Sequence, residues 1–465
     1  MSDVERKFSG STRPVVPTTT MYFSVAALFA CAWSTNGLAD EIGIISTLST
    51  YRTDNVLRDS TVLSNRMSNV FTATVGTYGN KQSERLKTEW SAGIVYQSYT
   101  DDRLDPQTYG DMIWTLDAQI VPHRFIWKMK ENLGEIVVDP GLPDTPLNRA
   151  KFNTFMTGPL IQIPMTEKMG FTASALATDS DYELNDFGGK SNTSELGITR
   201  LLSTRSSAAV RVAHTDGEFN SKAIGDYNTD KAYVHFETNG GITKLTADFG
   251  VNRAQIPVVT GNMPFYQLEM TRTLETGSKL QFSLSRLLTN DAEQFGNLAG
   301  TPQDNHSPGN TDETNRPIDL NTVDALYDGR ITSVRYLYNQ GLTYIQVGVK
   351  SRVEKPLAGQ GNGSRTFNTI DGSWYRKISS KTGIRLWADF TERTLESTVG
   401  RVDRDTEVGI EFAKPIYSVA FRWVLDLSRY SRNSTDPTVE YTEYRLTALL
   451  RYSKFIFQPR RRDVP

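Results

Sequence analysis

Leu86-Lys87-Thr88-Glu89-Trp90-Ser91-Ala92-Gly93-Ile94-Val95-Tyr96 is the stretch whose reading decides the fold. Taken every second residue, Leu86, Thr88, Trp90, Ala92, Ile94 and Tyr96 form one face without a charge, while Lys87, Glu89, Ser91, Gly93 and Val95 form the other. A period of two is the signature of a β-strand with unlike surroundings on its two sides. The pattern recurs in Met112/Trp114/Leu116/Ala118/Ile120, Leu245/Ala247/Phe249/Val251 and Thr343/Ile345/Val347/Val349. Toward the C-terminus it returns in Ile384/Leu386/Ala388/Phe390, Val408/Ile410/Phe412, Val419/Phe421/Trp423/Leu425/Leu427 and Tyr444/Leu446/Ala448/Leu450/Tyr452.

Between such runs, tight turns and long polar segments take turns. The tight ones are Gly79-Asn80-Lys81, Pro122-His123, Thr166-Glu167-Lys168, Ser203-Thr204-Arg205, Asn239-Gly240-Gly241, Thr276-Gly277-Ser278, Asn339-Gln340-Gly341, Ser379-Ser380-Lys381 and Lys414-Pro415. All carry residues suited to short hairpins. The long ones fall near 54–65, 100–108, 132–150, 180–190, 214–228, 256–264, 290–322, 354–365, 396–403 and 430–440. Nine turns and ten loops join about twenty strands, an even number, with both ends of the chain on the side of the short turns.

Alternation alone also suits a soluble sandwich. Three features favour a closed transmembrane cylinder: an export signal, aromatic residues near the ends of the apolar faces, and the short/long rhythm of connections. Hydrocarbon leaves no water for unpaired backbone groups, so strands that cross it must close into a ring. The expected fold is all-β, a single up-and-down antiparallel barrel of about twenty strands in the outer membrane of a Gram-negative bacterium.

Composition agrees. A 38% hydrophobic share with a mean hydropathy of −0.42 leaves no room for several apolar helical spans, whereas a barrel needs only alternate residues apolar. The net charge of −2 gives no reason to expect nucleic acid. Residues 1–39 read as a signal peptide, with Arg6, Lys7 and Arg13, the apolar run Met21 to Trp33 and the small-residue end Gly37-Leu38-Ala39; residues 40–465 are then the barrel. Cleavage after Ala39 removes Cys31, the sole cysteine; a rival reading has Cys31 lipidated within Leu28-Phe29-Ala30-Cys31.

At about twenty strands, side chains cannot fill the interior, so the lumen holds water, a plug or a cargo. Inward positions carry both signs, from Lys87, Glu89, Asp117, Lys128, Lys130, Arg211, Glu237, Lys244, Asp248 and Glu269 to Lys350, Arg352, Arg385, Asp389, Glu407, Glu411, Arg422, Asp426, Arg445 and Arg451. Arg385, Arg422, Arg445 and Arg451 gather on the last strands beside Asp389, Glu411 and Asp426, with Lys350 nearby. Such a strip either contacts a polyanionic or hydroxyl-rich chain, with Trp387 or Tyr344 as stacking platforms, or is a self-neutralised ion-pair network that keeps the wall wet. The acidic segment 290–322 lacks the spacing of a calcium loop and reads as a surface loop.

No catalytic reading emerges. His123, His214, His235 and His306 are scattered, no G-x-S-x-G or H-E-x-x-H accompanies them, and no cofactor or metal motif is present.

Tyr51-Arg52-Thr53-Asp54-Asn55-Val56 resembles the Y-x-x-D-N-V element that opens the mature part of the PEP-CTERM-system-associated outer-membrane proteins, encoded beside exopolysaccharide genes. Phe125-Ile126-Trp127, Glu131-Asn132-Leu133-Gly134, Asn148, Asn153-Thr154-Phe155 and Gly158-Pro159 are similar to that family's first third in order and spacing. The resemblance implies export of a polysaccharide across the outer membrane, with outer-membrane lipid and the periplasmic components of an export system as partners. The alternatives are a porin for small polar solutes and a structural barrel.

Overall fold

The computed structural model describes residues 41–58, 67–137, 145–183, 188–220, 226–256, 259–274, 277–289, 327–357, 363–379, 382–396, 400–416 and 420–457. The signal-peptide segment, Cys31 and the acidic loop lie outside them.

Alternating β-formers yield twenty strands. They are β1 (Glu41–Thr53), β2 (Ser68–Gln82), β3 (Leu86–Tyr99), β4 (Gln107–Val121), β5 (Phe125–Val137), β6 (Arg149–Pro164) and β7 (Met169–Tyr182). There follow β8 (Gly188–Ser203), β9 (Ser206–Phe219), β10 (Tyr227–Asn239), β11 (Thr243–Ile256), β12 (Val259–Thr273), β13 (Lys279–Thr289) and β14 (Tyr327–Gln340). The last six are β15 (Thr343–Pro356), β16 (Arg365–Lys377), β17 (Gly383–Leu395), β18 (Arg401–Ile416), β19 (Phe421–Ser434) and β20 (Tyr441–Phe457). Each is antiparallel to the next, and β20 pairs back onto β1 with Leu450 opposite Leu48, so the sheet is a closed ring. Twenty strands ~4.8 Å apart and tilted ~40° give a backbone diameter of roughly 40 Å.

Register assigns the faces. Leu48, Phe71, Val75, Ile94, Val210, Val212, Phe249, Val251, Val347, Val349, Leu425, Leu427, Leu446 and Leu450 are exposed although large and apolar, and all lie on the parity opposite the charged wall. An exposed apolar girdle around a closed cylinder is soluble only in lipid, so the protein is an outer-membrane barrel. Aromatic pairs mark its periplasmic rim, with Phe421 and Tyr452 at 4.6 Å and Phe412 and Trp423 at 5.3 Å between ring centroids. One carboxyl breaks the girdle. Glu131, mid-strand in β5, stands in register with Trp114 and Phe155 on the lipid side, and no hydrogen bond or ion pair reaches it among the described residues.

Two expected turns are displaced. Gly79 and Lys81 remain inside β2, and the chain reverses at 83–85. Gly79 is there because a Cβ would collide with the Trp90 ring of the neighbouring strand, a close approach that composition alone cannot tell from a turn. Lys414-Pro415 likewise belongs to β18, where Pro415 faces Arg422. Several extracellular connections are shorter than expected. Strands run 11 to 17 residues, beyond the ~9–11 that cross a bilayer, and their upper ends stay paired while polar on both faces. The expected long segment 256–264 shrinks to residues 257 and 258, because β11 and β12 pair out to Ile256 and Val259.

Candidate lumen site

The inner wall of β15–β20 is a set of rungs fixed by register. One runs Tyr344, Tyr375, Arg385, Glu411, Asp426 and Thr447; the next toward the extracellular mouth runs Gln346, Ser373, Trp387, Gly409, Ser428 and Arg445. Above it come Asp371, Asp389, Glu407, Tyr430 and Glu443, then Lys350, Thr369, Thr391, Asp405, Arg432 and Tyr441. Arg422 and Arg451 face each other lower down. All ten residues singled out above therefore occupy the lumen parity, spread along the depth of the wall.

Their contacts are with one another and with neighbours on the wall. Arg422 Nη2 donates to Glu411 at 3.4 Å, Ser428 Oγ to Asp426 at 2.9 Å, Thr391 Oγ1 to Asp389 at 3.0 Å and Tyr344 Oη to Gln346 at 3.2 Å. Trp387 lies over Gly409, where a Cβ would strike its ring, and its centroid is 6.4 Å from that of Tyr430. Among the described residues, neither Trp387 nor Tyr344 offers its ring to an arginine of the strip; Arg445 instead lies 4.4 Å from the Tyr51 centroid and 4.8 Å from that of Tyr430.

The densest charge sits toward the extracellular mouth, in part on residues expected in loops (Glu354, Arg401, Asp403 and Arg432) and in part on wall positions such as Arg352. Arg432 Nε is 2.6 Å from Asp405, Arg393 Nε 2.8 Å from the same carboxylate, and Arg401 Nη2 2.6 Å from Asp403. Arg352 Nε is 3.0 Å from Glu354. Asp403 and Glu443 are 0% and 1% exposed, so these ions stand in each other's field rather than in bulk water. The available signal was the alternation itself: Arg401, Asp403, Asp405 and Glu407 continue the inward period of β18 through a stretch that looks like a loop.

Beyond β1 the chain folds inward. Arg58, in a left-handed backbone conformation with φ 48°, sets its Nε 2.8 Å from Glu443 and its guanidinium 4.7 Å from the Tyr430 centroid. Asn55 Nδ2 donates to the Thr442 carbonyl at 3.2 Å, and Val56 packs with Val70 and Leu104. Residues 54–58 thus pin a segment against the extracellular half of the wall and narrow the bore. At the mouth, the Arg103 guanidinium beside Asp101 holds that carboxyl down at about 2.

The opposite wall is sparser. Lys128 Nζ lies 3.1 Å from Asp117, Arg211 Nη1 3.3 Å from Glu195, and His235 Nδ1 2.6 Å from Asp248. Among the described residues, no group of His, Cys, Asp and Glu is arranged to hold a metal ion.

No protein-family model matches the chain, nor does any curated protein. Solved structures with a similar arrangement match at low identity and include the outer membrane protein OpdK. OpdK of Pseudomonas aeruginosa, crystallised with vanillate, is 11% identical over 90% of this chain and 100% of its own, with a TM-score of 0.38. OccK2 (OpdF) of the same organism is 10% identical over 90% and 98%, with a TM-score of 0.40. OccAB4 of Acinetobacter baumannii is 10% identical over 90% and 100%, with a TM-score of 0.37.

Proposed function

We propose that the protein is a porin through which small polar solutes diffuse. The observation that carries this reading is the wall of β15–β20, where arginines and carboxylates pair within and between rungs beside a pinned inward segment. A wide ring with paired charges on its inner face is hydrated, offers weak ion selectivity and repels apolar cargo. The segment at residues 54–58 removes bore where a bulky polymer needs it. The export reading rests on short motifs near the N-terminus and gains no support from the fold.

Reconstituted protein is expected to conduct ions in planar bilayers and to swell liposomes in small sugars, with rates that fall as the sugar grows. Absence of conductance, combined with loss of surface polysaccharide in a strain lacking the gene, would overturn it in favour of export.

A further inference from the structure

On the outside of the barrel, two arginines share one carboxylate beside a lysine where β13, β14 and β15 emerge from the apolar girdle. Arg286 lies opposite Arg330 across β13 and β14, and Asp328 lies opposite Lys355 across β14 and β15. All four have the lipid-facing parity of Phe282, Leu284, Val334, Tyr336, Val347 and Val349. Val353 shares a rung with Arg330 and Leu288 shares one with Asp328, so the cluster stands at the extracellular edge of the apolar girdle.

Asp328 accepts from Arg286 Nε at 2.8 Å and Nη2 at 2.9 Å, and from Arg330 Nη2 at 3.0 Å. It is nearly buried, and its two oxygens are occupied by these donors. Arg330 Nε is buried without an acceptor, and exposed Lys355 has no ion-pair partner among the described residues. On the same outer belt Lys190 meets Asp179 at 3.7 Å and Arg404 meets Glu392 at 2.9 Å, one cation to one carboxylate. Here positive charge is left over at the boundary between hydrocarbon and water, where an anion with several oxygens meets both weak screening and unused donors.

We infer that Arg286, Arg330 and Lys355 bind a phosphate group of a glycolipid in the extracellular leaflet, with Asp328 holding the two arginines in place. The Arg286–Asp328 pair supplies the fixed frame, while Arg330 Nε and Lys355 Nζ supply donors to the phosphate oxygens.

The test is native mass spectrometry of the full chain in detergent with bisphosphorylated lipid A, lipid A stripped of phosphate, or inorganic phosphate. The double variant Arg330→Gln/Lys355→Gln keeps the bidentate Arg286–Asp328 pair and so the fold. It is expected to lose about tenfold or more in affinity for bisphosphorylated lipid A, while Arg404→Gln retains it. Phosphate-free lipid A is expected to bind wild type and variant equally weakly. Equal binding of bisphosphorylated lipid A by the double variant and wild type would overturn the inference. So would equal affinity for the phosphate-free lipid, or displacement of the lipid by inorganic phosphate at the lipid's own concentration, which would mark a free-anion site.

Discussion

Replacing Glu443 with alanine tests the inner wall most directly. The carboxylate is 1% exposed and accepts from Thr53 Oγ1 at 2.7 Å, Arg58 Nε at 2.8 Å and Arg445 Nη2 at 3.1 Å. Its removal leaves Arg58 and Arg445 facing each other with no counterion between them. Breaking a buried pair in this way costs about 3–5 kcal/mol. Most of that is expected to be relieved locally, by release of residues 54–58 into the lumen, since the twenty-strand ladder does not depend on them. Two readouts follow: a lower urea midpoint in micelles, and altered single-channel conductance with permeability shifted toward anions, because a negative charge has left the wall. Arg58→Ala alone unpins the same segment with the opposite charge change and shifts permeability toward cations. The double variant restores the charge balance, and the cycle is expected to give a coupling of about 1–3 kcal/mol. Additive single effects, or conductance and selectivity unchanged in both single variants, would refute the claim that this contact shapes the bore.

Other consequences can be measured separately. Val347→Arg, at the middle of the girdle, is expected to destabilise the protein in vesicles by about 2–4 kcal/mol, whereas Gln346→Arg on the lumen side of the same strand leaves the urea midpoint nearly unmoved. Glu131→Leu replaces a lipid-facing carboxyl with hydrocarbon and raises vesicle stability by about 1 kcal/mol; a fall would show that Glu131 has a partner in the membrane. Gly79→Val forces the Trp90 ring to move and costs about 1–3 kcal/mol, read as a lower melting temperature of the folded band on gels. Asp101 has a carboxyl held below its ordinary value by Arg103, so its contribution is full above the unfolded value near ~3.9 and is lost as pH falls toward about 2. Hydrogen exchange at the Arg103 backbone N–H, which donates to that carboxylate at 3.0 Å, is expected to stay protected to pH 4 and open as pH nears 2, after correction for intrinsic rates.

Much of this architecture was legible in the chain because lipid and water impose opposite demands on successive residues. Leu86 to Tyr96 and Tyr444 to Tyr452 keep their faces as the alternation implies. The strand ends were not legible. Above the bilayer both faces meet water, so Arg393, Arg401, Asp403, Arg432 and Glu443 lie in paired strands whose composition is that of a loop. Glycine carried a second ambiguity. Gly79 and Gly409 exist to admit Trp90 and Trp387, a demand set by a residue on the neighbouring strand rather than by local sequence. The pairing of Arg58 with Glu443, 385 positions apart, depends on a fold-back that no local pattern encodes.

The seam between β1 and β20 has a consequence for how the cylinder is made. Thr53 bonds Glu443, Tyr78 bonds Ser453, and the Tyr444 N–H bonds Asp54, so the earliest and latest parts of the polypeptide supply one another's partners. Until Tyr441–Phe457 has been synthesised and delivered, β1 is a bare edge able to recruit any foreign strand. Closure joins positions 390 apart and is therefore the entropically dearest and last event of assembly, and a chain halted before its final hairpin is left as an open, adhesive ribbon.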